Sequence, residues 1–340
     1  MPKNIKKNIA RTILLLSLII FAFWFALKDD VQSVLNQISH MSFVWLLMIG
    51  FLGILYYLIQ GFILFLIARK YNENIQFKDG IKNAYIAAFF NGVTPMGGGQ
   101  VAQTYAFRKA KLKYRDIASI LWTDFFMYQC VMLTYVFLII LFRFTYIVDT
   151  FPEYFILVIL GILVNSFVII VLWTFLKFPK FYLKVSNMLV RFLYKIRVIK
   201  DIESTQNSWR IQIGHFLNEI TKLQKDKKLV LQGFILNMIR LTVFYSIPYF
   251  VALGLGIKLN LMDLMNIILM SCFIQMLNAL TPLPGDTGWT ESAFILIFCT
   301  LFSRVEASSI MILWRFATYY LNLLIGGVTF LMIKTKKSTD

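Results

Sequence analysis

Cysteine, histidine and charge are all scarce in this 340-residue chain. Its three cysteines, Cys130, Cys272 and Cys299, lie in apolar runs with no C-x-x-C pair and no zinc-ligand spacing. That pattern excludes a disulfide framework and reads as buried thiols. The two histidines, His40 and His215, are far apart and lack metal-ligand neighbours, so no metal site is expected. Charged residues make up only 15% of the chain, against about 25% in a soluble domain. No G-x-x-x-x-G-K-[ST] run occurs, which argues against ATP as a driver, and no cofactor is expected. Proline is limited to seven residues, yet two of them share the eleven-residue stretch "NALTPLPGDTG" at 278–288 with two glycines. A helix break there, inside an apolar run, needs a reason.

What the chain has instead is apolar surface. It is 59% hydrophobic with 33 phenylalanines, and its mean hydropathy is +0.71. This composition predicts an all-α polytopic membrane protein. The net charge of +17 comes from residues placed in loops, as the positive-inside rule expects. The expected partners of those residues are anionic lipid headgroups at the cytoplasmic face, and not nucleic acid. At the N-terminus, Lys3, Lys6, Lys7 and Arg11 precede an apolar run at 12–27 that resembles a signal peptide. The run is long and no A-x-A-like site follows before Asp29 and Asp30, so it reads as a retained first helix.

Runs able to cross a hydrocarbon core of about 30 Å lie at 12–27, 43–68, 117–142, 154–176, 229–256 and 308–332, giving about six full spans. Two more apolar segments, 83–107 and 264–302, are broken by Gly and Pro. Arg69, Lys70, Lys78 and Lys82 place one flank of segment 83–107 in the cytoplasm. Arg108, Lys109, Lys111, Lys113 and Arg115 place the other flank there too. The segment is therefore expected to be re-entrant. From Asn83 to Pro95 it offers about 20 Å of helix, too little to cross. Residues 177–228 hold twelve Lys and Arg against four Asp and Glu and are expected to be cytoplasmic. Their spacing (Phe181, Val185, Leu189, Phe192, Leu193, Ile196) suits an amphipathic helix on the inner leaflet. The walk places segment 264–302 as re-entrant from outside and both termini in the cytoplasm of a multi-pass cell-membrane protein. The expected units are residues 1–176, 177–228 and 229–340.

The two breaks match each other. "NGVTPMGGGQ" at 91–100 and "NALTPLPGDT" at 278–287 share N-x-x-T-P-x-[G/P]-G at an offset of 187 residues. Asn91, Thr94, Pro95 and Gly98 correspond to Asn278, Thr281, Pro282 and Gly285, with Pro284 and Gly288 as further breaks in the second copy. One break is approached from the cytoplasm and the other from outside, which predicts an inverted-topology repeat. Backbone that is not helical survives at membrane depth only if it is buried in protein or lines a wet cavity.

Polar residues inside the spans supply the binding candidates. Gly97, Gly98 and Gly99 precede a helix beginning near Gln100, with Gln103 one turn on. A glycine turn before a helix N-terminus suits a lipid phosphate. Arg240 and Arg315 lie within apolar helices and need partners or a wet groove. Asp124, Asp286 and Glu291 are the available acids, and Glu291 is expected to pair with Arg315 or Arg240. Arg315, Tyr319 and Asn322 are spaced to share one face. No residue is expected to be catalytic.

With these residues in view, the chain resembles the lysylphosphatidylglycerol synthase transmembrane-region family, also called flippase-like. The pattern P-x-P-G-x-x-G-x-x-E is met by Pro282, Pro284, Gly285, Gly288 and Glu291. Arg315, Tyr319 and Tyr320 meet the last-helix pattern, and Pro95, Gly98 and Gly99 the first-half P-x-x-G-G. Many members carry Glu or Arg after the Gly-Gly pair and a Glu-Arg pair on the next helix. Here Gln100 and "WTDFF" at 122–126 stand there, leaving Asp124 as the charge. The resemblance implies a membrane module that moves a polar or aminoacylated phospholipid between leaflets, with a contribution to cationic antimicrobial peptide resistance. It also leaves other readings open: a phosphatidylglycerol lysyltransferase-type enzyme, a membrane subunit serving a separate synthase, or transport of a polyprenyl-linked or glycolipid substrate. The expectation favours transport, because no segment offers a soluble aminoacyltransferase domain.

Overall fold

Apolar sequence without strand-like alternation folds as helices, and in the computed structural model every long element is one. The structure describes residues 31–94, 98–150, 155–195, 201–278, 281 and 283–335. The expected first helix at 12–27 lies outside these, as do Pro95, Gly97 and Pro282 of the two breaks.

The chain opens with α1 (Val31–Ser39) and α2 (Phe43–Arg69), the latter about 40 Å long at 1.5 Å per residue. Next come α3 (Phe77–Val93) and α4 (Gly99–Lys109), the two limbs of a first hairpin. α5 (Tyr114–Thr150) and α6 (Phe155–Lys177) follow, then the polar helices α7 (Pro179–Lys195) and α8 (Ile202–Lys225). Next come a long helix α9 (Lys227–Gly254) and the hairpin limbs α10 (Leu261–Asn278) and α11 (Trp289–Phe298). A final span is built from α12 (Arg304–Arg315), a π-turn at Phe316–Tyr320 and α13 (Leu321–Thr335). Among the described residues, six helices are long and apolar enough to cross a membrane. They include Leu261–Asn278, the first limb of the second broken segment.

Two apolar clusters define the ends of the bundle. One gathers Ile67, Ala68, Ile75, Phe107, Leu112, Ile117, Leu223 and Leu229. The first hairpin therefore starts and finishes at the same end, beside the junction of α8 and α9. The Lys70–Asp226 ion pair, at 2.6 Å, closes this end. The other cluster joins Ile49, Ile147, Val251, Ile267, Phe298, Phe302 and Ala307. It holds the start of α10, the end of α11, the end of α9 and the start of α12, so the second hairpin opens at the opposite end. α2 and α9 run antiparallel between the clusters: Lys70 meets Asp226 at one end, and Gly254 packs on Trp45 at the other. α2 packs on α3, and α9 on α10; the last span of the second half packs on α3, and α5 on α10.

Close approach decides how deep the first hairpin sits. A Cβ on Gly80 would lie 2.1 Å from the Gly61 carbonyl oxygen, so α2 and α3 touch backbone to backbone. Small residues are how helices associate where lipid supplies no hydrophobic drive.

Three boundaries differ from the sequence reading. α3 begins at Phe77, six residues before Asn83, because Asp79 accepts a hydrogen bond from the Gln76 N–H (3.0 Å) and caps it. α5 continues past residue 142 to Thr150, with a kink at Arg143 (φ −125°, ψ 23°). Residues 177–228 form two helices rather than one amphipathic stretch. On α7 the apolar Phe181 and Val185 are exposed, and the side chains of Leu189, Phe192, Leu193 and Ile196 lie outside the described residues.

Candidate functional site

The two hairpin tips are built with the same residue types and held differently. In the first, Asn91 Oδ1 accepts from the Gly99 N–H (2.9 Å) and Thr94 Oγ1 accepts from the Gly98 N–H (3.0 Å). The side chains that end α3 therefore cap the start of α4, satisfying amides that a helix start leaves open. Asn83 adds a bond from its Nδ2 to the Gln103 carbonyl (2.9 Å), tying the limbs lower down. In the second tip, Asn278 Oδ1 accepts from Thr290 Oγ1 (2.9 Å) and Thr281 Oγ1 donates to Asp286 (2.8 Å). The repeated Asn thus bridges the two limbs in both halves.

The second tip carries a further clamp. Gly285, Asp286 and Gly288 all have positive φ (57°, 52° and 87°), a region that L side chains occupy rarely. Pro284–Asp286 form one 3-10 turn there. Glu291 accepts from the Gly288 N–H (2.7 Å) and pairs with Arg315 Nε (2.8 Å). Arg315 Nη1 also donates to the Gly285 carbonyl (3.3 Å). Tyr319 packs on Gly285 and donates to the Gly92 carbonyl of α3 (3.1 Å), so the last span fastens one tip to the other. The expected pairing of Glu291 with Arg315 is present. Between Arg315 and Asn322 the winding passes through the π-turn at Phe316–Tyr320. The Asn322 Nδ2 bonds the Ala317 carbonyl five residues back (2.7 Å).

Between the tips lies a cavity of about 530 Å³. Asn91, Gln100 and Gln103 line it from the first hairpin, and Thr281, Leu283, Gly285 and Asp286 from the second. Asp124, Phe125 and Tyr128 of α5 and Arg240 of α9 form further walls, with Tyr56, Tyr57 and Gln60 of α2. Gln100 and Leu283 are exposed, so the cavity reaches the protein surface at the depth of the tips.

Arg240 and Asp124 set the electrostatics. Arg240 is 5% exposed; its Nη2 donates to Tyr56 (2.8 Å) and its Nη1 to Asn237 (3.2 Å). The guanidinium lies 4.5 Å from the Tyr56 ring centre and 4.9 Å from that of Tyr128, a cation–π sandwich. Its Nε has no partner. Asp124 is 8% exposed, and its buried Oδ1 accepts no hydrogen bond. Opposite charges thus face one cavity without forming an ion pair among the described residues. A centrally placed arginine costs about 2.5–3.5 kcal/mol on insertion scales, so leaving one without a carboxylate partner needs a compensating role.

The candidates separate into two groups. Gln100, Gln103, Asp124, Arg240 and Asp286 line the cavity, whereas Glu291, Arg315 and Tyr319 stand behind the second tip as its fastening. Gly98 and Gly99 have their amides occupied by Thr94 and Asn91. The sequence reading missed Tyr56, Tyr57 and Gln60. The polar run Tyr56–Tyr57–Gln60 in an apolar helix was the available signal, with Tyr56 and Gln60 one turn apart on one face.

Fold and site together define an all-α polytopic membrane protein with a charged cavity between two broken-helix hairpins. Comparison with known proteins then gives the lineage: residues 9–326 match the family described as lysylphosphatidylglycerol synthase TM region, and the chain belongs to that family. It is also 23% identical over 280 residues to a UPF0104 membrane protein of Pyrococcus horikoshii, an alignment covering 78% of this chain and 79% of that protein.

Proposed function

We propose that this protein is a lipid translocase, which passes a phosphate-bearing headgroup between leaflets through the cavity while the acyl tails stay in the bilayer. The observation that carries the reading is Arg240, buried on the cavity wall with no carboxylate bound to it. A planar guanidinium held between two tyrosine rings is pre-shaped to receive phosphate oxygens. The surrounding amides and hydroxyls of Gln60, Gln103 and Thr281 can replace headgroup water. The family's name, which refers to a lysylphosphatidylglycerol synthase, supports a lipid-linked substrate.

In this reading the hairpins are re-entrant from opposite leaflets and belong to inverted repeats, residues 1–176 and 229–340. The basic segment 177–228 then rests on anionic headgroups at the cytoplasmic face of the cell membrane, with both termini on that side. Gln100 and Leu283 mark the opening through which tails remain in lipid.

The test is reconstitution in liposomes containing fluorescent phosphatidylglycerol, with leaflet exchange followed by quenching from outside. Wild-type protein is expected to accelerate exchange. Arg240→Ala is expected to lower the rate by at least about tenfold, since a charge-assisted hydrogen bond contributes about 1.5–3 kcal/mol. Arg240→Lys is expected to retain part of it. Wild-type exchange no faster than in protein-free liposomes, or turnover of lysyl-tRNA into lysylated lipid by the purified chain, contradicts the proposal.

A further inference from the structure

Resting on the translocase reading, the cavity's charge balance raises a question that reading leaves open: what Asp124 does when an anion arrives. Arg240 and Asp124 line the same cavity, and no ion pair joins them among the described residues. No hydrogen-bond donor holds the buried Asp124 oxygen. The other ionisable groups around it are few. Tyr56 and Tyr57 face it from α2, Tyr128 stands one turn along its own helix, and Cys272 of α10 lies beyond Tyr128. Asp286, on the second tip, is already bonded to Thr281. Behind it, Arg315 is committed to Glu291. Arg240 is therefore the cation that balances Asp124, and one that a bound phosphate would claim.

We infer that Asp124 is a proton-binding site linked to the headgroup: it takes up a proton when an anionic phosphate binds Arg240 and releases it when the lipid leaves. The step is a simple protonation, in which a proton from water bonds to a carboxylate oxygen and no electrons change hands. Its cause is mutual. Phosphate oxygens neutralise the guanidinium, Asp124 loses its counter-charge in a water-poor site, and the neutral acid becomes the favoured form. Lipid and proton then enter together, so binding leaves the net charge of the cavity unchanged. Translocation of an anionic headgroup would consequently move no net charge against the membrane potential.

The experiment uses the purified full-length protein in weakly buffered detergent near neutral pH. Dihexanoyl-phosphatidylglycerol is the probe; binding is followed by calorimetry and protons by a pH dye. Wild-type protein is expected to take up about one proton per lipid bound. Asp124→Asn is expected to bind the lipid with uptake lost, and Asp124→Glu to retain uptake. Infrared difference spectra of the wild type alone should gain the carbonyl band of a neutral carboxylic acid on lipid addition. That readout stands even if the Asn variant folds poorly. Lipid binding without proton uptake, or undiminished uptake in Asp124→Asn, overturns this inference and leaves the translocase reading intact. Absence of lipid binding in the wild type overturns both.

Discussion

Both hairpin tips are closed by their own residues, but the second also carries a buried ion pair to the final span. Asn91 and Thr94 close the first break within a few residues of themselves, by capping Gly98 and Gly99. The second break needs Glu291 and Arg315, and Tyr319 binds it back to Gly92 on the first. A locally capped tip depends little on its neighbours. A tip clamped by the final span couples that span's position to the cavity wall. The two tips share residue types and both line the cavity, but only the second is joined by an ion pair to the final span.

The largest effect expected from breaking this contrast is at the clamp. Arg315→Ala strands Glu291, which is 4% exposed, and removing one partner of a buried pair costs about 3–5 kcal/mol. Thermal unfolding of purified protein in detergent should show a marked fall, with the double variant Arg315→Met, Glu291→Leu recovering part of it. A wild-type midpoint in Arg315→Ala would show that the pair holds nothing.

Next is Gly285→Ala. The new Cβ would lie 2.5 Å from the Tyr319 ring at a φ of +57°, and such backbone strain costs about 1–3 kcal/mol. The same assay in a Tyr319→Ala background should show a smaller penalty for the added methyl, because the ring clash is gone. An equal penalty in both backgrounds would assign the strain to φ alone.

Loss of the local caps should cost less. Asn91→Ala removes the side-chain acceptor of the Gly99 N–H, worth about 0.5–1.5 kcal/mol, and Asn91→Asp should preserve most of it. The effect should stay within the first half. Proteolysis at the loop after α11 should be unchanged in Asn91→Ala and raised in Arg315→Ala. Equal sensitivity there would erase the distinction between the tips.

The smallest effect is expected at the end of the bundle, where Lys70 and the Leu229 N–H hold the Asp226 carboxyl below its usual range. A lowered folded value means that this contribution is present above the unfolded carboxylate value and fades as pH falls through the folded one. Asp226→Asn should therefore lower stability slightly near neutrality, with the difference from wild type vanishing as the pH falls through the acid range. Unfolding midpoints measured across the acid range would check it.

Much of this was legible in the residues. The shared N-x-x-T-P pattern located both tips, because an Asn and a Thr flanking a break have few uses besides satisfying exposed backbone. Arg240, Asp124 and Arg315 declared themselves by being charged inside apolar runs. The cavity's α2 wall was not legible: tyrosines in a span of phenylalanine and leucine read equally well as lipid-facing. Nor could spacing reveal that Asn91 and Thr94 occupy the Gly99 and Gly98 amides, since that depends on how the chain folds back. The π-turn at Phe316–Tyr320 was likewise not legible, since no spacing in the sequence marks it.

The account rests on two hairpins entering from opposite faces and meeting around Arg240 and Asp124. Side-specific labelling tests this most directly, using single cysteines at Lys113, Lys222 and Lys258 on a background without Cys130, Cys272 and Cys299, in sealed vesicles with an impermeant thiol reagent. The prediction is that positions 113 and 222 react from one face and position 258 only from the other. Labelling of 113 and 222 from different faces, or of all three from one, would contradict it.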